Sequence, residues 1–141
     1  MSFPPIEELV PHRRPMSLLR SVRRFDPSGV VCDAVIPDDS PFLRDGRIHA
    51  VVALEYMAQA AAVWTGLVLR SESKAQRGGF LVSVTSMRLH ASHFAVGDEL
   101  SVRAVQRYRG SDSAAFECSV ELRGQEVASA TLTALARGES G

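Results

Sequence analysis

Glu55 stands inside the apolar run Ala50 to Leu69 (AVVALEYMAQAAAVWTGLVL), with Gln59 one helical turn later on the same face. A carboxylate in such surroundings is costly unless it is hydrogen-bonded or used. Two readings follow: a helix residue satisfied by partial exposure or by an arginine, or a proton-transfer group kept for chemistry. His12 lies in Pro11-His12-Arg13-Arg14-Pro15, between prolines that restrain the backbone and beside guanidinium groups that favour the neutral imidazole of a general base. A turn histidine without a role is the alternative. His49 precedes the apolar run, near the positive end of the helix dipole, where a neutral ring is again favoured, and a helix cap or a surface residue is the other reading. The backbone N–H groups of Ala50 and Val51, at that helix start, could hold an oxygen as negative charge develops on it, or form an ordinary solvated helix end. A carboxylate, an imidazole and a helix start are the parts from which general acid–base chemistry is built.

Other chemistries find less support. His90 and His93 bracket Ala91-Ser92 with no acidic or thiol ligand beside them, so no metal is expected. Cys32 and Cys118 lie in separate apolar runs, without a C-x-x-C spacing, and read as buried free thiols. No glycine-rich phosphate loop, G-x-S-x-G elbow or H-E-x-x-H signature is present. The 16 basic residues, 15 of them arginine and one Lys74, balance 16 acidic ones. This removes the basic excess on which nucleic-acid affinity rests. The run Ala50 to Leu69 is long enough to span a membrane, but Glu55, Gln59 and its alanines make it a buried core helix instead. Met1 to Leu9 carries two prolines and two glutamates where a signal peptide would need a basic and then an apolar stretch, so a cytoplasmic protein is expected.

The elements around the helix define what wraps it. Ser17 to Phe25 and Val30 to Ile36 flank Asp26-Pro27-Ser28-Gly29, a turn signal, and form a first hairpin. After Gly79 the period changes from helical to alternating. Phe80 to Leu89 is one strand and Leu100 to Tyr108 the next, turned by Gly110 to Ser113. Phe116, Cys118, Val120 and Leu122 alternate with Glu117, Ser119, Glu121 and Arg123, and Gly124-Gln125 reverses the chain into Val127 to Ala136. The reading is α+β: about six antiparallel strands curved around one long buried helix, the hotdog fold, as a single domain over 1–141 with its core in 9–136 and a tail from Gly138.

Within this frame two segments carry a family resemblance. Leu9-Val10-Pro11-His12-Arg13-Arg14-Pro15-Met16-Ser17-Leu18-Leu19 resembles the opening of the hotdog-fold 3-hydroxyacyl-acyl-carrier-protein dehydratases, and Leu54-Glu55-Tyr56-Met57-Ala58-Gln59-Ala60 resembles the E-x-M-A-Q segment of their central helix. With Ser40-Pro41-Phe42, the sequence looks most like the small dehydratase-like proteins of aryl polyene biosynthesis. The resemblance implies elimination of water from a β-hydroxyacyl thioester, with no cofactor beyond the phosphopantetheine arm of an acyl carrier protein. It also implies a homodimer, or a heterodimer with another hotdog protein, with the active site between subunits. In the familiar dehydratases a G-H-F-P histidine faces the helix glutamate from the partner chain. The family spacing puts that histidine at Pro41 here, while Phe42 matches.

The roles that follow are His12 as base, with His49 second, and Glu55 as acid or water-orienting group. Ala50, Val51 and Gln59 would bind substrate, whose apolar part would lie near Tyr56, Met57 and Phe80. Arg13, Arg14 and Arg88 would dock an acidic carrier protein. A hotdog thioesterase and a non-catalytic partner subunit are the alternatives.

Overall fold

The computed structural model describes residues 3–9, 18–71, 79–111 and 113–136. His12, Arg13, Arg14 and the tail from Gly138 lie outside them.

Among the described residues the fold has eight strands and one long helix, with two short helical turns. A four-residue helix α1 (Ile6–Leu9) precedes β1 (Ser21–Asp26) and β2 (Gly29–Val35). Then come β3 (Arg47–His49), a 3-10 turn (Ala50–Val52), α2 (Ala53–Ser71), β4 (Gly79–Leu89), β5 (His93–Ala95), β6 (Glu99–Arg109), β7 (Ser113–Leu122) and β8 (Gln125–Ala136). Six strands form one antiparallel sheet in the order β1-β2-β6-β7-β8-β4, and β3 pairs with β5 in a separate two-stranded ribbon. The six-stranded sheet around one helix is the expected hotdog arrangement. The ribbon and α1 are additions, because strands of three residues and a single helical turn are too short to show a period.

Two boundaries shift for local reasons. The helix begins as a 3-10 turn and becomes α-helical at Ala53. The reversal between β7 and β8 sits one residue earlier than expected: Arg123 and Gly124 both take positive φ, 53° and 76°, as a two-residue type I′ hairpin requires, and Leu122 pairs with Gln125.

One face of the sheet supplies the core. Val30, Cys32 and Ala34 of β2, Leu100, Val102 and Ala104 of β6, Phe116, Cys118 and Val120 of β7, and Ala128, Ala130 and Leu132 of β8 are all buried at alternate positions. Against them α2 sets Ala53, Tyr56, Met57, Ala60, Val63, Trp64 and Leu67. Trp64 meets Phe116 edge-to-face at 5.8 Å, and its indole N–H donates to the Asp26 carbonyl at 3.2 Å, pinning the helix to the first hairpin. Both thiols are free and buried, and burial pushes each up to about 12, so neither is a nucleophile near neutral pH. The apolar stretch Ala50–Val68 is long enough to cross a membrane by length and composition, but more than half of it is buried inside this fold.

The wrapping is one-sided. Leu54, Glu55, Ala58, Ala62 and Thr65 recur at helical spacing and are only partly buried, while Val51 at the helix start is 48% exposed. A helix expected to be enclosed all round therefore keeps a half-open, mainly apolar stripe, and Glu55 lies on it.

Candidate active site

Glu55 occupies the first turn of α2, where a carboxylate is favoured by the helix dipole. Its neighbour one turn on, Gln59, is fully buried. The Gln59 side chain spans two elements: its Oε1 accepts the Leu18 backbone N–H at 2.9 Å, and its Nε2 donates to Glu55 Oε1 at 3.4 Å. The first contact decides the second, because an amide whose oxygen is committed to an N–H must turn its NH₂ the other way. Gln59 thus locks one oxygen of Glu55 and ties the chain at Leu18 to the helix. The sequence pairing of Glu55 with Gln59 is present, but as an orienting contact. A fully buried Gln59 is part of the protein interior and not an open substrate contact.

The helix start is held differently from expectation. His49 is the N-cap, and its Nδ1 accepts the Val51 N–H at 3.0 Å. The Ala50 N–H donates to the Ser92 carbonyl at 2.9 Å, in the loop leading into β5. Both groups expected to receive a developing oxyanion are therefore already engaged, Ala50 by the β3–β5 ribbon and Val51 by the cap. The ribbon that the sequence period could not reveal is the physical reason.

The same cap constrains His49 itself. With Nδ1 accepting, the neutral ring carries its proton on Nε2 and can donate there, but it has no second lone pair to act as base. His93, opposite His49 in the β3–β5 register, packs edge-to-face on it at 5.4 Å. A structural role has a measurable consequence: His49→Ala should lower stability by about 1 kcal/mol in a denaturant titration, and His49→Asn, a good cap, should recover most of it.

The remaining expected residues are placed as follows. Pro41 is exposed in the turn after Ser40, whose Oγ accepts the Phe42 N–H at 3.2 Å, and Phe42 packs on the core. Tyr56 and Met57, expected to line a substrate path, are fully buried in the core. Among the described residues the Tyr56 hydroxyl has no hydrogen-bond partner, and burial raises it to about 12. Phe80 lies on β4, with its side chain outside the described residues. Arg88 is exposed on β4, an edge strand of the sheet. His90 lies 3.9 Å from Glu126, and among the described residues no group of three or more His, Cys, Asp or Glu side chains could hold a metal.

A family profile described as ApeP-like, ApeP dehydratase, matches residues 4–139 of the chain. The chain belongs to the ApeP-like dehydratase family. Among curated proteins no sequence matches this ApeP-like chain. In structure it is similar to the dehydratase heterocomplex ApeI:P from Xenorhabdus doucetiae, with a TM-score of 0.92 and 26% identity over 98% of this chain and 94% of that one. More distant likenesses show the fold alone. One is the HP0420 homologue from Helicobacter felis, at TM-score 0.71 and 17% identity, covering 100% of this chain and 96% of that chain. Another is a hypothetical thioesterase with coenzyme A from Streptococcus pneumoniae, at TM-score 0.64 and 14% identity, covering 86% and 88%. This ApeP-like chain is therefore a dehydratase-like hotdog protein, as its LEYMAQA helix implied.

Proposed function

We propose that the chain contributes Glu55 to a 3-hydroxyacyl-thioester dehydratase site completed by a second hotdog subunit. The observation that carries this reading is Glu55 on the half-open stripe of α2 with one oxygen fixed by the buried Gln59 amide. A half-open apolar stripe beside an oriented carboxylate fits a site closed by another chain, and ApeI:P is a dehydratase heterocomplex.

In the reaction, a base removes the α-proton of the acyl thioester, and the electron pair forms the α–β double bond as the β-hydroxyl leaves. An acid protonates that hydroxyl so that it departs as water, and the thioester is conserved. Glu55 is assigned the acid or water-orienting role and His12 the base. His49 ranks below His12, because its Nδ1 is spent on the Val51 N–H. The substrate would be carried on phosphopantetheine by an acidic carrier protein, met by Arg13, Arg14 and Arg88.

A second reading, a partner subunit that is not itself catalytic, is favoured by one feature: Pro41 stands where the familiar dehydratases have histidine. One experiment separates the two. The chain, alone and co-purified with a second hotdog dehydratase subunit, is given a carrier-bound 3-hydroxyacyl substrate, and products are followed by mass spectrometry. Enoyl thioester is expected from the pair, with loss of turnover when Glu55 of this chain is changed. Full turnover by the pair with Glu55 changed assigns the chemistry to the other subunit. Release of free acid would mark a thioesterase.

A further inference from the structure

The outer face of the sheet, turned away from α2, carries two arginines that line one recess. Strand register places residues in rows across it. Arg24 of β1 stands opposite Val31 of β2, Val31 opposite Arg103 of β6, and Arg103 opposite Ser119 of β7. Adjacent strands lie about 4.8 Å apart, so the Cα atoms of Arg24 and Arg103 are about 10 Å apart across Val31, within convergent reach of two long side chains. Val31 points to solvent by alternation, since Val30 and Cys32 on either side of it are core residues, yet it is only 9% exposed. The arginines on both sides flank an apolar floor.

The local charge balance separates these two arginines from their neighbours. Arg23 pairs with Asp33, Arg107 with Glu117 at 2.6 Å, and Arg123 approaches Asp98 at 3.6 Å. Among the described residues Arg24 and Arg103 have neither an ion pair nor a hydrogen bond, and no acid stands in their row as far as Ser119. Between them is a recess of about 210 Å³, floored by Val31 and Val105 and closed at one end by the Asp26–Ser28 turn. The Asp26 carboxylate lies at that end, with Oδ1 accepting from the Ser28 N–H, the Ser28 hydroxyl and the Gly29 N–H. Oδ1 is thus engaged by its own turn, and the turn's hydrogen bonds favour this carboxylate more than the nearby Arg103 charge does.

We propose that Arg24 and Arg103 form a binding site for a phosphate group, on the face of the sheet opposite Glu55. Two permanently charged planar forks lining one recess beside an apolar floor suit a tetrahedral dianion, which brings three oxygens and two charges to the pair where a carboxylate brings two oxygens and one charge. Phosphate on this site could be free or the monoester of a larger molecule. The site is independent of the dehydratase reading, since the hairpin it uses contacts α2 at Trp64, more than two helical turns from Glu55.

The test is titration of the full chain by calorimetry in low-salt buffer, with inorganic phosphate, glycerol phosphate and a glutamate-rich peptide as separate probes. Saturable binding of phosphate is expected, weakened about tenfold or more in Arg24→Gln and in Arg103→Gln, with Arg107→Gln unchanged because that side chain is held by Glu117. All three positions are exposed, so melting temperatures should stay near the parent value and report an intact fold. Tighter binding of glycerol phosphate than of inorganic phosphate assigns the site to a monoester, and equal binding to the free ion. Absence of saturation at millimolar phosphate, or an equal response of all three variants, overturns the site. Preference for the glutamate-rich peptide overturns it in favour of protein docking.

Discussion

Glu55→Gln should reduce conversion of a 3-hydroxyacyl thioester to the enoyl product by about 10²- to 10⁴-fold, the usual span for loss of one general acid–base group. The substitution keeps the size of the side chain and its capacity to receive the Gln59 NH₂, so the change is in proton exchange and not in packing. Melting temperature and oligomeric state should therefore match the parent. His12→Ala should fall to a similar floor, and the double variant should be little worse than either, because groups serving one transition state are strongly non-additive. The rate is measured on the chain with its hotdog partner present. Full activity in Glu55→Gln, together with complete loss in His49→Ala, would remove Glu55 from the chemistry and move the proton-transfer role to the ribbon.

Glu55 and Gln59 were legible in the sequence because their signal is local. A carboxylate and an amide four residues apart in an apolar helix share a face whatever surrounds them. The same logic made the β6–β7–β8 meander legible, where alternation runs unbroken through Phe116, Cys118 and Val120, all of which are buried. What failed was non-local. The occupancy of the Ala50 and Val51 N–H groups depends on the ribbon pairing Arg47–His49 with His93–Ala95, some 45 positions apart in the chain, and three residues carry no period. The Gln59 contact with Leu18 belongs to the same class: its partner is a backbone N–H, which no side-chain pattern marks.

That contact also allows the orienting role of Gln59 to be separated from its contribution to stability. Gln59→Leu fills similar space but leaves the Leu18 N–H without this acceptor and removes the Gln59 amide from Glu55. An unsatisfied buried amide costs about 1–3 kcal/mol, so a lower melting temperature is expected with little dependence on pH, together with slower turnover as Glu55 loses its fixed orientation. Gln59→Glu makes the opposite exchange. It retains an acceptor for Leu18 but places a second carboxyl, fully buried, beside Glu55. Burial and like charge both raise the pKa of that new group in the folded state above the value of about 4.3 it has in the unfolded chain. Below the unfolded value the group is protonated in both states, and stability should approach that of the parent. As pH rises, the unfolded chain releases its proton first and binds fewer protons than the folded one, so stability falls, by at most about 1.4 kcal/mol per pH unit, until the folded pKa is passed. Denaturant titrations of both variants at pH 4.5 and pH 8 distinguish the two mechanisms. A flat profile for Gln59→Glu would mean that position 59 is not enclosed as the structure has it. Undiminished turnover by Gln59→Leu would show that Glu55 needs no orienting amide.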